Sequence, residues 1–183
     1  MNYRVGNKPF QGFTIVELLI VVVVIAILAA ITIVSYNGIQ NRAYDSSVQA
    51  DLKNLKTKIE SWRIDNNDEY PSGGAGLGEN LPELGFKASK SAYATIAATE
   101  NNLWYCRDST RKLFAVMALS RTGSIYYISE AAGAPVKYTG GTPWSKTTSN
   151  CASLVSSSLG WQYAGYASTD TTTGPWRAWA GGN

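Results

Sequence analysis

Residues 13–34, FTIVELLIVVVVIAILAAITIV, form a run of 22 residues with a single charge, Glu17. As an α-helix the run spans about 33 Å, enough to cross the hydrocarbon core of a bilayer. A helix that is apolar all round cannot be stable alone in water, so it belongs in a membrane or inside an assembly. Glu17 is the anomaly. An acidic residue in a membrane helix costs roughly 2.5–3.5 kcal/mol at the centre, and residues that bear such a cost are usually paired and functional. Three uses compete: a plain membrane anchor, a secretory signal cut near Ala29 or Ala30, and a segment that spans the membrane first and is then used elsewhere. The small residues of AILAA suit a signal peptide. Yet apolar residues continue beyond them, and neither a signal nor an anchor explains Glu17, unless it snorkels or is protonated.

A cut between Gly12 and Phe13 supplies a partner. It frees a cationic amine on Phe13, four residues before Glu17. Positions i and i+4 are neighbours on one helix. Between staggered helices, the amine of one chain meets the carboxylate of the next. Apolar surroundings then strengthen the pair and penalise any other register.

These residues, KPFQG followed by FTIVELLIVVVVIAILAAI, resemble the class III signal of type IV prepilins and of their pseudopilin relatives. The match comprises a short hydrophilic leader with Lys8, then Gly12, Phe13, Glu17 and an unbroken apolar stretch. The resemblance implies cleavage after Gly12 by a prepilin peptidase, N-methylation of Phe13, and a Glu17 that registers the subunit in a helical filament. Lys8 holds the leader on the cytoplasmic side by the positive-inside tendency. One departure is Val34, where many pilins carry a proline. That removes one cause of a kink and leaves Gly38 as a place where the helix could loosen.

Residues 36–65 continue the helix in a different style. Val48, Leu52, Leu55, Ile59 and Trp62 recur at steps of 4, 3, 4 and 3, one apolar stripe on an amphipathic helix. Asp51, Lys53, Lys56, Lys58, Glu60 and Arg63 read as a solvated face. The heptad pattern is too short for a coiled coil, so the stripe is expected to cover a sheet. Together residues 13–65 make one helix of roughly 80 Å. DNNDEYPSGGAGLG then breaks it with Pro71 and four glycines. The stretch SWRIDNNDEYP resembles the end of the long helix in pilins and major pseudopilins. Asp65, Asp68 and Glu69 lack the glycine and distal glutamate of an EF-hand loop, so a helix-ending turn is preferred to a calcium site.

Residues 79–101 read as a connection with a short helix around 88–98. LWYC, RKLFAVMALS and SIYYIS read as strands by their β-branched and aromatic content. Arg121, Thr122 and Gly123 supply the turn of an antiparallel hairpin that joins 112–120 to 124–129. Residues 113–119, apolar on both faces, suit a central strand. Arg107, Asp108 and Arg111 read as a solvated turn. Beyond Gly133 the Gly/Ser/Thr-rich chain is expected to be irregular, held by aromatic packing and by a Cys106–Cys151 disulfide, since two cysteines in an exported domain usually pair. Trp144, Trp161, Trp176 and Trp179 read first as core. Stacking of Trp176 and Trp179 on a sugar is the competing use.

The chain has no histidine and a net charge of +3, and losing Arg4 and Lys8 with the leader leaves +1 on the side chains. No basic stripe for nucleic acid, Walker loop or His-containing catalytic or metal cluster is present. The expected fold is α+β, a pilin fold. Residues 1–12 are the leader, 13–35 a hydrophobic transmembrane and filament-core helix, 36–65 its amphipathic continuation packed on an antiparallel sheet, and 66–183 the head with a disulfide-bounded C-terminal region. The expected function is structural and not enzymatic, with no cofactor or metal. The chain is a type IV pilus subunit, polymerised into an extracellular filament for adhesion, twitching motility or DNA uptake. Expected partners are like subunits, prepilin peptidase, the inner-membrane assembly machinery, lipid before assembly, a surface ligand, and DNA only in a competence pilus. The expected location is the cytoplasmic (inner) membrane as a single-pass precursor, then the cell-surface pilus. Alternatives are a type II secretion pseudopilin and a membrane-anchored sugar-binding or enzymatic domain.

Overall fold

The computed structural model describes residues 12–71, 84–95, 102–140 and the backbone of 162–167. Residues 1–11, Cys151, Trp144, Trp161, Trp176 and Trp179 lie outside the described residues. The chain divides into two units, Met1–Gln40 and Asn41–Asn183.

One helix, α1 (Ile15–Ile64), supplies the described structure of the first unit and opens the second. It contains no proline, so its backbone ladder is uninterrupted, and it continues helical through Gly38. In the first unit its side chains find no core. Consecutive helical residues point about 100° apart, and Leu18, Leu19, Ile20 and Val21 are all more than half exposed, at 60%, 57%, 56% and 53%. By length and composition this segment is able to cross a membrane.

In the second unit the pattern reverses. Val48, Leu52, Leu55 and Ile59 are fully buried. Each contributes about 1.5–3 kcal/mol relative to exposure. They pack with β1 (Leu103–Arg107), β2 (Phe114–Leu119) and β3 (Ile125–Ser129) through Leu103, Tyr105, Phe114, Val116, Ala118 and Ile128. Side chains alternate across a strand, and the intervening Trp104, Cys106, Ala115 and Met117 are buried as well. Both faces of β1 and β2 are therefore covered, as expected of the apolar 113–119 run.

Among the described residues the sheet has five antiparallel strands in the order β4-β3-β2-β1-β5, with β4 at Val136–Lys137 and β5 at Gln162–Ala167. The β2–β3 hairpin forms where expected. Gly123 takes φ +83° in its turn, a left-handed conformation that only glycine adopts without cost. Pairing of β1 with β5 shifts register between Trp104 and Cys106.

Several expectations need correction. The tail is not wholly irregular, because 162–167 pair with the edge of β1. In place of a helix at 88–98 there is one 3-10 turn, Lys90–Ala92. Residues 92–94 give their backbone groups to the hairpin instead: the Ala94 amide donates to the Leu119 carbonyl, and the Arg121 amide donates to the Ala92 carbonyl. Residues 96–98 lie outside the described residues. Helix α1 ends at Ile64, before Pro71. Asn67 and Asp68 turn the chain with φ of +57° and +58°, a conformation these two residue types tolerate because their short polar side chains bond locally.

The face read as solvated is partly built in. Asp51 is buried and accepts from the Ser89 amide (2.6 Å), the Ser89 hydroxyl (3.1 Å) and the Tyr93 hydroxyl (3.1 Å). Lys56 donates to three backbone carbonyls. The charged cluster after β1 is also no solvated turn. Asp108 is buried and organises the β1–β2 turn, accepting from the amides of Lys112 (2.8 Å) and Leu113 (2.9 Å) and from the Thr110 hydroxyl. Arg107 is buried beside it. Arg111 pairs with Glu69 at 2.6 Å and donates to the Tyr70 carbonyl at 3.1 Å, which ties the chain after α1 to this turn.

Candidate processing and assembly site at the helix start

Residues 12–14 are not helical, and Phe13 is 86% exposed. The Gly12–Phe13 bond therefore lies two residues outside α1 in accessible chain. Gly12 adds no side chain there, and among the described residues nothing packs within 4 Å of where its Cβ would be.

Thr14 caps the helix. Its hydroxyl accepts from the Glu17 amide at 3.3 Å, and Glu17 Oε2 reaches back to accept from the Thr14 amide (2.8 Å) and the Thr14 hydroxyl (2.7 Å). This is a capping box, in which the cap residue and the acid three residues on satisfy otherwise orphaned donors. Glu17 also sits in the first turn, where the helix dipole favours an anion. Phe13, Glu17, Leu18 and Val21 line a shallow apolar concavity beside it.

The geometry revises the reading of Glu17. Phe13 precedes the helix, so the i,i+4 relation with Glu17 does not hold within one chain. Glu17 Oε2 serves the chain's own first turn, while Oε1 accepts no hydrogen bond among the described residues. T-I-V-E before an apolar run is the sequence signature of a capping box, which adds Thr14 to the residues of this site.

The second unit holds the other acids that matter. Asp45 accepts from the hydroxyls of Ser120 (2.6 Å), Thr122 (2.6 Å) and Tyr126 (3.0 Å), which pins α1 to the β2–β3 hairpin. Burial pushes its carboxyl up, but these bonds and the Lys137 charge outweigh burial and hold it below the usual range. Burial likewise raises Asp108, and its bonds from Thr110, Leu113 and Lys112 bring it below the usual range. Asp51 goes the other way: burial dominates, the bonds from Ser89 and Tyr93 offset it only in part, and its carboxyl stays raised. Asp68 pairs with Arg63 at 3.1 Å and Glu69 with Arg111. Among the described residues no group of three His, Cys, Asp or Glu is placed to hold a metal. Cys106 is fully buried in β1, and no cysteine among the described residues is free.

Residues 7–33 match the family model of the prokaryotic N-terminal methylation motif. The chain is 38% identical over 98 residues to the type IV wide pilus major component PilA4 of Thermus thermophilus, covering 52% of this chain and 70% of that protein. It is 31% identical over 122 residues to a fimbrial protein of Pseudomonas aeruginosa, covering 64% and 75%. The chain belongs to the superfamily of type IV pilins and type II secretion pseudopilins. Similarity to the type II secretion system core protein G of Pectobacterium carotovorum subsp. carotovorum is 30% over 76 residues, 42% of this chain and about half (48%) of that protein. No solved structure matches the chain significantly. Within this superfamily of structural subunits, the capped helix start lies inside the segment that the methylation motif matches.

Proposed function

We propose that the chain is a type IV pilus subunit, cleaved between Gly12 and Phe13 by a prepilin peptidase, methylated on the Phe13 amine, and polymerised through α1 into an extracellular filament. The observation that carries this reading is the first half of α1, apolar on every side and exposed among the described residues. Bilayer lipid covers it in the single-pass precursor, and like helices cover it after assembly. The pairing of Glu17 with the Phe13 amine of a neighbouring subunit uses Oε1, because Oε2 is engaged by Thr14. The inner-membrane assembly machinery supplies the extraction step. Cys106 pairs with Cys151, the only other cysteine of the chain. That bond closes a loop with 44 intervening residues and stabilises the head by about 4 kcal/mol in the chain-entropy model.

A second reading, a type II secretion pseudopilin, is favoured by the similarity to core protein G. The test is to shear filaments from cells, identify their subunits by mass spectrometry, and assay protein secretion in a strain lacking the chain. Abundant filaments containing a chain that begins at methylated Phe13 support the pilus. Loss of secretion without surface filaments supports the pseudopilus. A mature chain that starts at Ala30 or Ile31 overturns both.

A further inference from the structure

We propose that the turn at residues 129–132 is a cation-binding cage and that the ammonium of Lys56 is its resident ion. Lys56 Nζ donates to the carbonyls of Ser129 (3.0 Å), Glu130 (2.5 Å) and Ala132 (2.7 Å). An ammonium has three donors and no acceptor, so three carbonyls satisfy it completely. It forms no ion pair with a carboxylate among the described residues. The nearest acid in the turn is used elsewhere, since the Glu130 carboxylate accepts from the Phe114 amide at 3.3 Å. The charge is thus held by backbone dipoles, the way carbonyl sites hold metal ions.

Backbone hydrogen bonds shape the turn around the ion. The Ala132 amide donates to Ser129 and the Glu130 amide to Phe114, both at 3.2 Å, so the turn folds back and its carbonyls converge. Three like-oriented carbonyl dipoles repel one another unless a cation sits among them. What the ion secures is the sheet edge. Among the described residues, strand β4 pairs with β3 at two positions, Tyr126↔Lys137 and Tyr127↔Val136, and the Tyr138 amide adds one bond to the Ile125 carbonyl at 2.8 Å, so the edge that follows the anchored turn is short. Without β4, β3 becomes an open edge that can pair with another chain. Arginine cannot substitute, because its planar fork does not aim three donors into one cage.

The experiment uses the full chain in detergent, with Lys56 replaced by alanine to empty the cage. Thermal unfolding is followed by circular dichroism in ammonium, potassium or choline chloride at equal ionic strength. Lys56→Ala should melt below the wild type. Ammonium or potassium should recover at least half of the lost melting temperature, choline none, and Lys56→Arg should melt like Lys56→Ala. Recovery by no cation, equal recovery in choline, or wild-type melting of Lys56→Arg overturns the proposal. Should Lys56→Ala not fold, nitrogen-15 NMR of the wild type decides. The Lys56 ammonium protons should exchange slowly, and exchange as fast as at exposed Lys53 refutes the cage.

Discussion

The two halves of α1 are the same element in opposite circumstances. Leu19 is 57% exposed in the first and Leu52 fully buried in the second, although both are leucines in an unbroken helix. Helix formation answers to local chemistry: no proline to interrupt the backbone ladder, and a capped start. Burial answers to what lies opposite. The second half meets its own sheet and is saturated, so its apolar side chains stabilise the subunit. The first half meets no core among the described residues of its own unit, so its apolar side chains are left for whatever surrounds the chain.

The strongest break of that comparison is Glu17→Val. Membrane insertion should hold or improve, because an apolar residue replaces a carboxylate. Processing at Gly12 should persist. Filament yield should collapse, because a buried amine loses its partner at a cost of about 3–5 kcal/mol. Sheared filaments measured against membrane-fraction subunit report it, and normal yield refutes a registering role.

Next come paired truncations. Leu52→Ala should destabilise the subunit by about 2–5 kcal/mol, as a core cavity does. Leu19→Ala should leave subunit stability unchanged and weaken only assembly. Denaturant unfolding of the detergent-solubilised chain checks both, and equal losses would erase the distinction between the halves.

Thr14→Ala removes the cap and should cost the helix start about 1 kcal/mol. Amide exchange should rise across residues 15–18 and stay unchanged at 48–59. A Thr14→Ser variant keeps the hydroxyl and should behave as wild type.

The smallest effect is a change of slope with pH. Asp45 is held below the usual carboxyl range, so its contribution is present at neutral pH and lost as pH falls through its folded value. Asp51 is raised, so its contribution is present in acid and lost as pH rises through its folded value. Asp45→Asn should therefore flatten the acid side of a melting-temperature profile, and Asp51→Asn should steepen it. Parallel profiles would show that burial and hydroxyl bonding do not separate the two acids.

Whatever acts locally or at a fixed period is legible in the amino-acid order. The apolar run, the 4-3-4-3 stripe from Val48 to Trp62 and the Gly123 hairpin read directly, because helix and strand periods and turn chemistry are properties of neighbouring residues, whereas the roles given to Gly12, Phe13 and Glu17 rest on the resemblance of their segment to prepilin signals. Thr14 was legible by the same logic. The fate of the polar residues emerges from long-range packing. Asp51 and Lys56 carry no mark that separates them from exposed Lys53. Their partners, Ser89 and Tyr93 for one and Ser129, Glu130 and Ala132 for the other, stand at least 38 residues away in sequence. The same is true of β5, an edge strand whose partner β1 lies far upstream in sequence. A charge reads as solvated until the fold brings acceptors to it, because a buried polar group is tolerated only where distant chain supplies its hydrogen bonds.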